Sequence, residues 1–232
     1  MKPRVLLLAA LLTGGPGALS AQTLQYGLSG GLLASTYQGL HLPNGSEVQA
    51  RLGAAGGAWA RHALGRHLAL QAELRYEARG AGSRTEGLLG WEGSMGYFVH
   101  EEKSRLHYLT LPVLLRVRVG KFFAEAGPQL SYLAAARNEL HSVHYVRSPS
   151  GTPLSYTTTE HAGAYRRWEP GLVVGLGYEL TPRLELGVRY GGAFSRLHRP
   201  QPLIWPDYGP YVLNQTRNAT LQLQLSYCLA GS

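Results

Sequence analysis

Acid and thiol are what this sequence has least of. Its 232 residues include one aspartate, Asp207, and one cysteine, Cys228. A lone thiol forms no internal disulfide and offers neither a zinc site nor a redox pair. A single aspartate leaves no material for EF-hand-type calcium loops. Charge of either sign is sparse at 16%, and the formal balance of +8 comes from arginines scattered singly, not gathered into a stripe. Nucleic acid is therefore not an expected partner. Long apolar runs are missing too. No stretch reaches the roughly 18 residues that a membrane-crossing helix needs.

The N-terminus carries an address. Lys2 and Arg4 precede the apolar run Val5–Leu12, Gly14-Gly15-Pro16-Gly17 breaks it, and Ala18, Ser20 and Ala21 are small. This is the pattern of a secretory signal peptide. Residues 1–21 are expected to be that leader, cut just before Ala21 or Gln22, with 22–232 forming one exported domain.

Alternation dominates the rest. In PGLVVGLGYELTPRLELGVRYGG (170–192), Leu184, Leu186, Val188 and Tyr190 share one face, and Glu185, Gly187, Arg189 and Gly191 the other. A period of two reads as strand, and Thr181-Pro182-Arg183 reads as a hairpin turn. Similar segments lie near 24–37, 48–63, 66–79, 104–119, 121–136, 166–180, 182–197 and 216–229. Leu64-Gly65-Arg66 and Gly120-Lys121 give two more tight turns. Long polar links fall near 38–47, 80–103, 137–165 and 198–215. Within the third, Val143, Tyr145, Leu154 and Tyr156 flank Ser148-Pro149-Ser150-Gly151, which favours two strands continuing around a turn. Short turns at one end and long loops at the other, over an even number of strands, is the layout of an outer-membrane barrel. The expected fold is all-β: an antiparallel up-and-down transmembrane β-barrel of about eight strands.

Side-chain size assigns the two faces. Leu109, Leu111, Val113, Leu115, Val117 and Val119 alternate with residues that include Thr110, Arg116 and Arg118. Leu221, Leu223, Leu225 and Tyr227 likewise oppose Gln222, Gln224, Ser226 and Cys228. An eight-strand barrel is only just wide enough for side chains to fill. All these bulky residues would overfill it, so they are assigned to lipid; a soluble barrel with the leucines inward is the alternative. Glycine on the inner face makes room for long ionic side chains. The candidate lumen network is Arg51, Glu73, Arg75, Arg116, Arg118, Glu125, Glu185 and Arg189, whose mixed signs permit pairing where an unpaired ion would be costly. Such pairs would plug the barrel.

Four segments resemble a known family: HYLTLPVLLRVRV (107–119), FFAEAGPQLSYLAAAR (122–137), WEPGLVVGLGYELTPRLELGVRYGGAFS (168–195) and RNATLQLQLSYCL (217–229). They are similar to PorT-like outer-membrane β-barrel proteins of Bacteroidota. The resemblance implies a barrel of about eight strands in the outer membrane and no common activity. Related barrels commonly end on an aromatic residue, whereas Leu229-Ala230-Gly231-Ser232 comes after Tyr227 and Cys228 here.

Chemistry-bearing motifs are thin. Gly175-Leu176-Gly177 has no helix after it to present amides to phosphate, so it reads as strand glycine. A hydrolase would need serine, histidine and carboxylate to converge at the outer rim. His100 with Glu101, His107, His141 with Ser142, His144, and His161 with Glu160 all lie there, but their spacing forces no convergence. His141 and His144, three apart on a strand, face opposite sides and do not form a metal pair. Arg105, Arg137, Arg166, Arg167 and Arg196, with Arg199 and Arg217, gather near the expected outer rim, where guanidinium forks suit lipopolysaccharide phosphates. The expectation is a monomeric structural or surface-interaction barrel, without catalysis, cofactor or metal, in contact with outer-membrane lipid. A lipid-modifying hydrolase and a small-solute channel are the alternatives.

Overall fold

The computed structural model describes residues 24–39, 46–91, 94–146, 154–161, 165–197 and 216–230. The expected leader at 1–21 and the link at 198–215 lie outside them. Ten strands follow in chain order: β1 (Leu24–Gln38), β2 (Ser46–Ala63), β3 (Leu68–Arg79), β4 (Ala81–Trp91), β5 (Ser94–Val119), β6 (Phe122–Val146), β7 (Leu154–His161), β8 (Trp168–Glu179), β9 (Leu184–Ala193) and β10 (Arg217–Ala230). Every pairing is antiparallel, and no described residue is helical.

Eight strands close a ring in the order β1, β2, β3, β5, β6, β8, β9, β10. Pairing of β1 with β10, from Gly27 opposite Cys228 to Gln38 opposite Arg217, removes the last free edge. Closure is what lets such a sheet sit in hydrocarbon, where each unpaired backbone group costs several kcal/mol.

The other two strands prolong the wall. β4 continues β3 and pairs with the outer parts of β2 and β5. β7 lies on the outer part of β6, above the stretch that β8 occupies. The segment 80–103 is thus not the long polar link expected from its composition. Alternation is blurred there by Gly82, Gly87, Gly90, Gly93 and Gly96, and the segment pairs as a hairpin, from Gly82 opposite Lys103 to Trp91 opposite Ser94. In 137–165 the expected continuation is present, as β6 runs to Val146 and β7 returns from Leu154.

The three tight turns stand where the sequence puts them. Leu64 N–H reaches Leu68 O at 2.8 Å, and Leu180 N–H reaches Leu184 O at 2.9 Å. Gly120, at φ +61°, supplies the left-handed residue of the third. Gly80 marks the break between β3 and β4 with φ +152°. There the hydroxyl of Ser35 accepts from Gly80 N–H at 2.8 Å and donates to Gly80 O at 2.6 Å. One inward serine satisfies both backbone groups that the break would orphan.

The outer surface has a belt. Leu28, Leu32, Leu70, Leu74, Leu111, Leu115, Val174, Val188 and Leu223 all lie exposed on the outside. Aromatic residues frame them: Tyr26, Phe122, Tyr178 and Tyr227 toward the tight turns, and Tyr76, Tyr132, Trp168, Tyr190 and Phe194 toward the long hairpins. Phe122 packs on Tyr178, and Tyr132 on Trp168. From Phe122 to Tyr132 is ten steps along β6. At about 3.4 Å per residue and a tilt of about 40° these steps rise about 26 Å, near the ~25 Å apolar band between aromatic girdles of transmembrane barrels. The leucine face meets lipid. Arg189 is buried inside, as is most of Glu185.

Candidate functional site

The interior is filled, and β3 is its spine. Alternation sends Gln71, Glu73, Arg75, Glu77 and Arg79 inward, each almost fully buried. Their partners stand on the far wall. Arg189 of β9 grips both oxygens of Glu73, at 2.8 and 2.6 Å, and its Nε bonds Glu125 of β6. β3 and β9 are four strands apart whichever way round the ring is counted, so this pair spans the diameter. One level out, Arg75 donates to Glu73, Glu77 and Ser29, and to Gln222 and Gln224 of β10. A further level out, Arg79 donates to Glu77 at 2.8 Å, Glu169 at 2.7 Å, Thr110 and Ser131. Three arginines, stacked on successive levels, each reach across the lumen.

Desolvation offsets most of the Coulomb gain in such pairs, so they contribute less stability than their number suggests. Their consequence is geometric: they occupy the cross-section. Glycine makes that fit. A Cβ on Gly175 would lie 2.8 Å from the Arg189 side chain and 3.1 Å from Glu125. One on Gly177 would lie 2.1 Å from the Phe123 ring, over which Arg116 stacks at 3.4 Å.

Beyond Arg79 the filling turns aromatic and apolar. Tyr108 lies under the Arg79 guanidinium and donates to Glu169 at 3.2 Å. Leu106, Leu133, Ala136, Tyr165 and Leu197 pack around it as a buried cluster with Tyr37 against it. Asn218 caps Glu169 at 2.6 Å. Further out, Ser104 donates to Asn138, Asn138 donates to Glu102, and His100 Nδ1 lies 2.7 Å from the buried Ser142 hydroxyl.

At the tight-turn end the filling stops short. Arg61 of β2 forks onto both oxygens of Glu185, at 2.9 Å each, and Arg116 adds a bond to Glu185 at 2.8 Å. Arg118 of β5 pairs with Glu179 of β8, two strands along the ring, at 3.3 Å at the edge of the opening. Below these residues lie two adjoining cavities of about 350 and 400 Å³ that share Gln25, Arg61, Arg118 and Glu179.

Of the lumen candidates, Glu73, Arg75, Arg116, Glu125, Glu185 and Arg189 come together inside. Arg51 does not join them. It lies farther out and donates to the Ser104 carbonyl at 3.3 Å. Arg118 is corrected to the mouth: it follows the inward parity of β5, but one residue before the strand end its side chain is 52% exposed. Arg61, Glu77, Arg79 and Glu169 also belong to the network, although the expected set did not include them; Glu77 and Arg79 share the polar face of 66–79 with Glu73 in the sequence. Each sits on the inward parity of its strand, so the alternation that found Glu73 could have found them.

The rim candidates Arg105, Arg137, Arg166, Arg167 and Arg196 are all exposed on the outside, as is Arg217. Arg105 stands directly opposite Arg137 in the β5–β6 register, and Glu139 pairs with Arg137 at 2.8 Å. Arg167 donates to the girdle residue Tyr132 at 3.4 Å. Arg199 lies outside the described residues. Among the histidines, His141 faces outward while its neighbour Ser142 is buried inside. His107 bonds the Tyr76 hydroxyl on the outer wall. The side chains of His144, Glu160 and His161 lie outside the described residues.

Several solved structures are similar to this chain. Ail, the attachment invasion locus protein of Yersinia pestis, is 12% identical, with 88% of this chain and 98% of that chain covered and a TM-score of 0.39. Neisserial surface protein A is 11% identical, with 87% and 96% covered and a TM-score of 0.42. OprG of Pseudomonas aeruginosa is 10% identical, with 90% and 97% covered and a TM-score of 0.35. No curated protein matches the sequence. The family model of the outer membrane protein beta-barrel domain matches residues 20–199, and the chain belongs to that family.

Proposed function

We propose that this outer-membrane β-barrel protein is a sealed, monomeric, non-catalytic barrel that acts at the cell surface. Its transmembrane wall anchors and orients the strands that rise beyond the belt. The observation that carries this reading is the set of cross-wall braces: Arg189 to Glu73, Arg75 to Gln222 and Gln224, and Arg79 to Glu169. A solute path would have to break buried charge pairs at two levels and, between them, the bonds from the Arg75 guanidinium to two amides. Ser142 argues against the hydrolase alternative, since a nucleophile must reach substrate and this hydroxyl is buried against His100. The leader Met1–Ala21 exports the chain, and segments such as HYLTLPVLLRVRV favour the PorT-like branch of Bacteroidota.

The lipid partner is the phosphorylated outer leaflet. Like charges directly opposite on paired strands repel, and Arg105 faces Arg137 beyond the upper girdle, with Glu139 offsetting part of that repulsion. A phosphate between the two guanidiniums would convert that repulsion into charge-assisted hydrogen bonds. Neutralising Arg105, Arg137 and Arg196 together is expected to lower the lipopolysaccharide retained on the purified barrel. Unchanged retention would reject the contact.

The wider reading is tested with purified protein in vesicles of outer-membrane lipid. The expected result is neither stepwise ion conductance nor fatty-acid release. Stable conductance steps would establish a channel, and acyl release would establish an enzyme; each would overturn the proposal.

A further inference from the structure

The tight-turn mouth is built differently from the rest of the lumen. Its two adjoining cavities, about 350 and 400 Å³, fall in the range of small-molecule sites. Arg61, Arg66, Arg116, Arg118 and Lys121 line them, against two carboxylates. Both carboxylates are already engaged: Glu185 holds Arg61 and Arg116, and Glu179 holds Arg118. The surplus is positive. Farther along the lumen, by contrast, acids and arginines are interleaved contact by contact.

One donor buried in the cup's wall has no acceptor at hydrogen-bond distance. Arg116 is 4% exposed, lies over Phe123, and lines the first cavity. Its Nη1 serves Glu185, while its Nη2 is buried with no hydrogen-bond partner. A buried guanidinium N–H left unpaired costs more than an ordinary lost bond. Low-dielectric walls around a concave site also focus its field toward anything that enters. In transmembrane barrels the short turns face the periplasm, and the Arg189–Glu73 brace lies behind the cup, so a ligand would enter and leave from the periplasmic side.

We infer that this mouth is a periplasm-facing binding site for a phosphate-bearing anion. Arginine forks match phosphate geometry, and several converge here. Arg61 and Arg116 form the floor, held in place by Glu185. Arg118, Lys121 and Arg66 form the rim and supply the mobile charge. The phosphate belongs either to a free periplasmic solute or to the headgroup of an inner-leaflet lipid bent into the opening; both present the same group.

The test uses the full chain in neutral detergent and inorganic pyrophosphate as the probe. Cys228, the only cysteine, lines the second cavity and serves as a reporter. The expected result is saturable heat of binding, and slower maleimide labelling of Cys228 as pyrophosphate saturates. The double variant Arg118→Gln with Lys121→Gln alters exposed residues outside the lumen braces. It is expected to keep heat-modifiable migration and bind at least tenfold more weakly. A second arm compares vesicles of zwitterionic lipid with vesicles containing phosphatidylglycerol, without pyrophosphate. Protection of Cys228 only by the anionic lipid keeps the site and assigns its phosphate to a headgroup. No saturable binding with no protection in either arm, or equal affinity in the double variant, overturns the inference.

Discussion

Arg189 and Glu73 meet across the full diameter of the lumen, one guanidinium closing on both carboxylate oxygens at 2.8 and 2.6 Å. Neither residue has a neighbour in sequence that hints at the other. The strands carrying them are joined only by going halfway round the ring, so the bond pins the barrel's cross-section.

Removing one partner of that bond leaves charge stranded. Arg189→Ala abandons Glu73 and Glu125 in the interior, and the expected loss is about 3–5 kcal/mol. Urea unfolding in phospholipid vesicles measures it. Glu73→Leu and Arg189→Leu combined in one chain are expected to cost less than the sum of the same two substitutions made singly, with a coupling of about 1 kcal/mol or more. A loss below about 1 kcal/mol for Arg189→Ala would mean that the brace is not made.

Space on the inner wall gives a second prediction. A methyl group on Gly177 would collide with the Phe123 ring, which cannot retreat without disturbing Arg116 stacked on it. Gly177→Ala is expected to cost about 1–3 kcal/mol, as overpacking does. Gly65 lies in a turn with nothing within 4 Å of where a Cβ would stand. Gly65→Ala should stay within about 0.5 kcal/mol. Equal effects at both positions in the same unfolding assay would contradict the packing.

Depth in the belt sets a third. Val174 lies on the outer wall between the girdle residues Trp168 and Tyr178, and Leu180 lies just beyond Tyr178. Arginine at the bilayer midplane costs about 2–4 kcal/mol and near the interface about 0–1. Val174→Arg should therefore destabilise the barrel by the larger amount and Leu180→Arg by the smaller. The reverse order would misplace the belt.

The break at Gly80 depends on one hydroxyl. Ser35→Ala removes the partner of both Gly80 N–H and Gly80 O. The expected cost is about 1–3 kcal/mol, the penalty of buried unsatisfied groups. Faster hydrogen exchange at Gly80 and Ala81 should accompany it. Unchanged exchange there would show that the break is held by other means.

The wall was legible because period two, tight turns and bulky outward residues are local signals. Leu109 to Val119 and Leu221 to Tyr227 announce their faces within a single strand. The hairpin of β4 with β5 was not legible: glycines interrupt its alternation, and its pairing is made by backbone groups that every sequence has. In the lumen, residue membership could be read and partnership could not. Parity places Glu77, Arg79 and Glu169 inside as surely as Glu73. That Arg79 finds Glu169 while Arg189 finds Glu73 follows from strand order and stagger around the ring, which no single segment encodes. Arg118 shows the opposite limit, since parity is right but the strand ends before the side chain is enclosed.

Orientation is the claim on which the sealed barrel stands, and oxygen accessibility measures it. Spin labels placed singly at Leu111 and Leu223, in protein reconstituted into lipid vesicles, should collide readily with dissolved oxygen and be shielded from a water-soluble nickel complex. Labels shielded from oxygen and open to the nickel complex at these two positions would put water, not lipid, against the leucine face and contradict the sealed barrel.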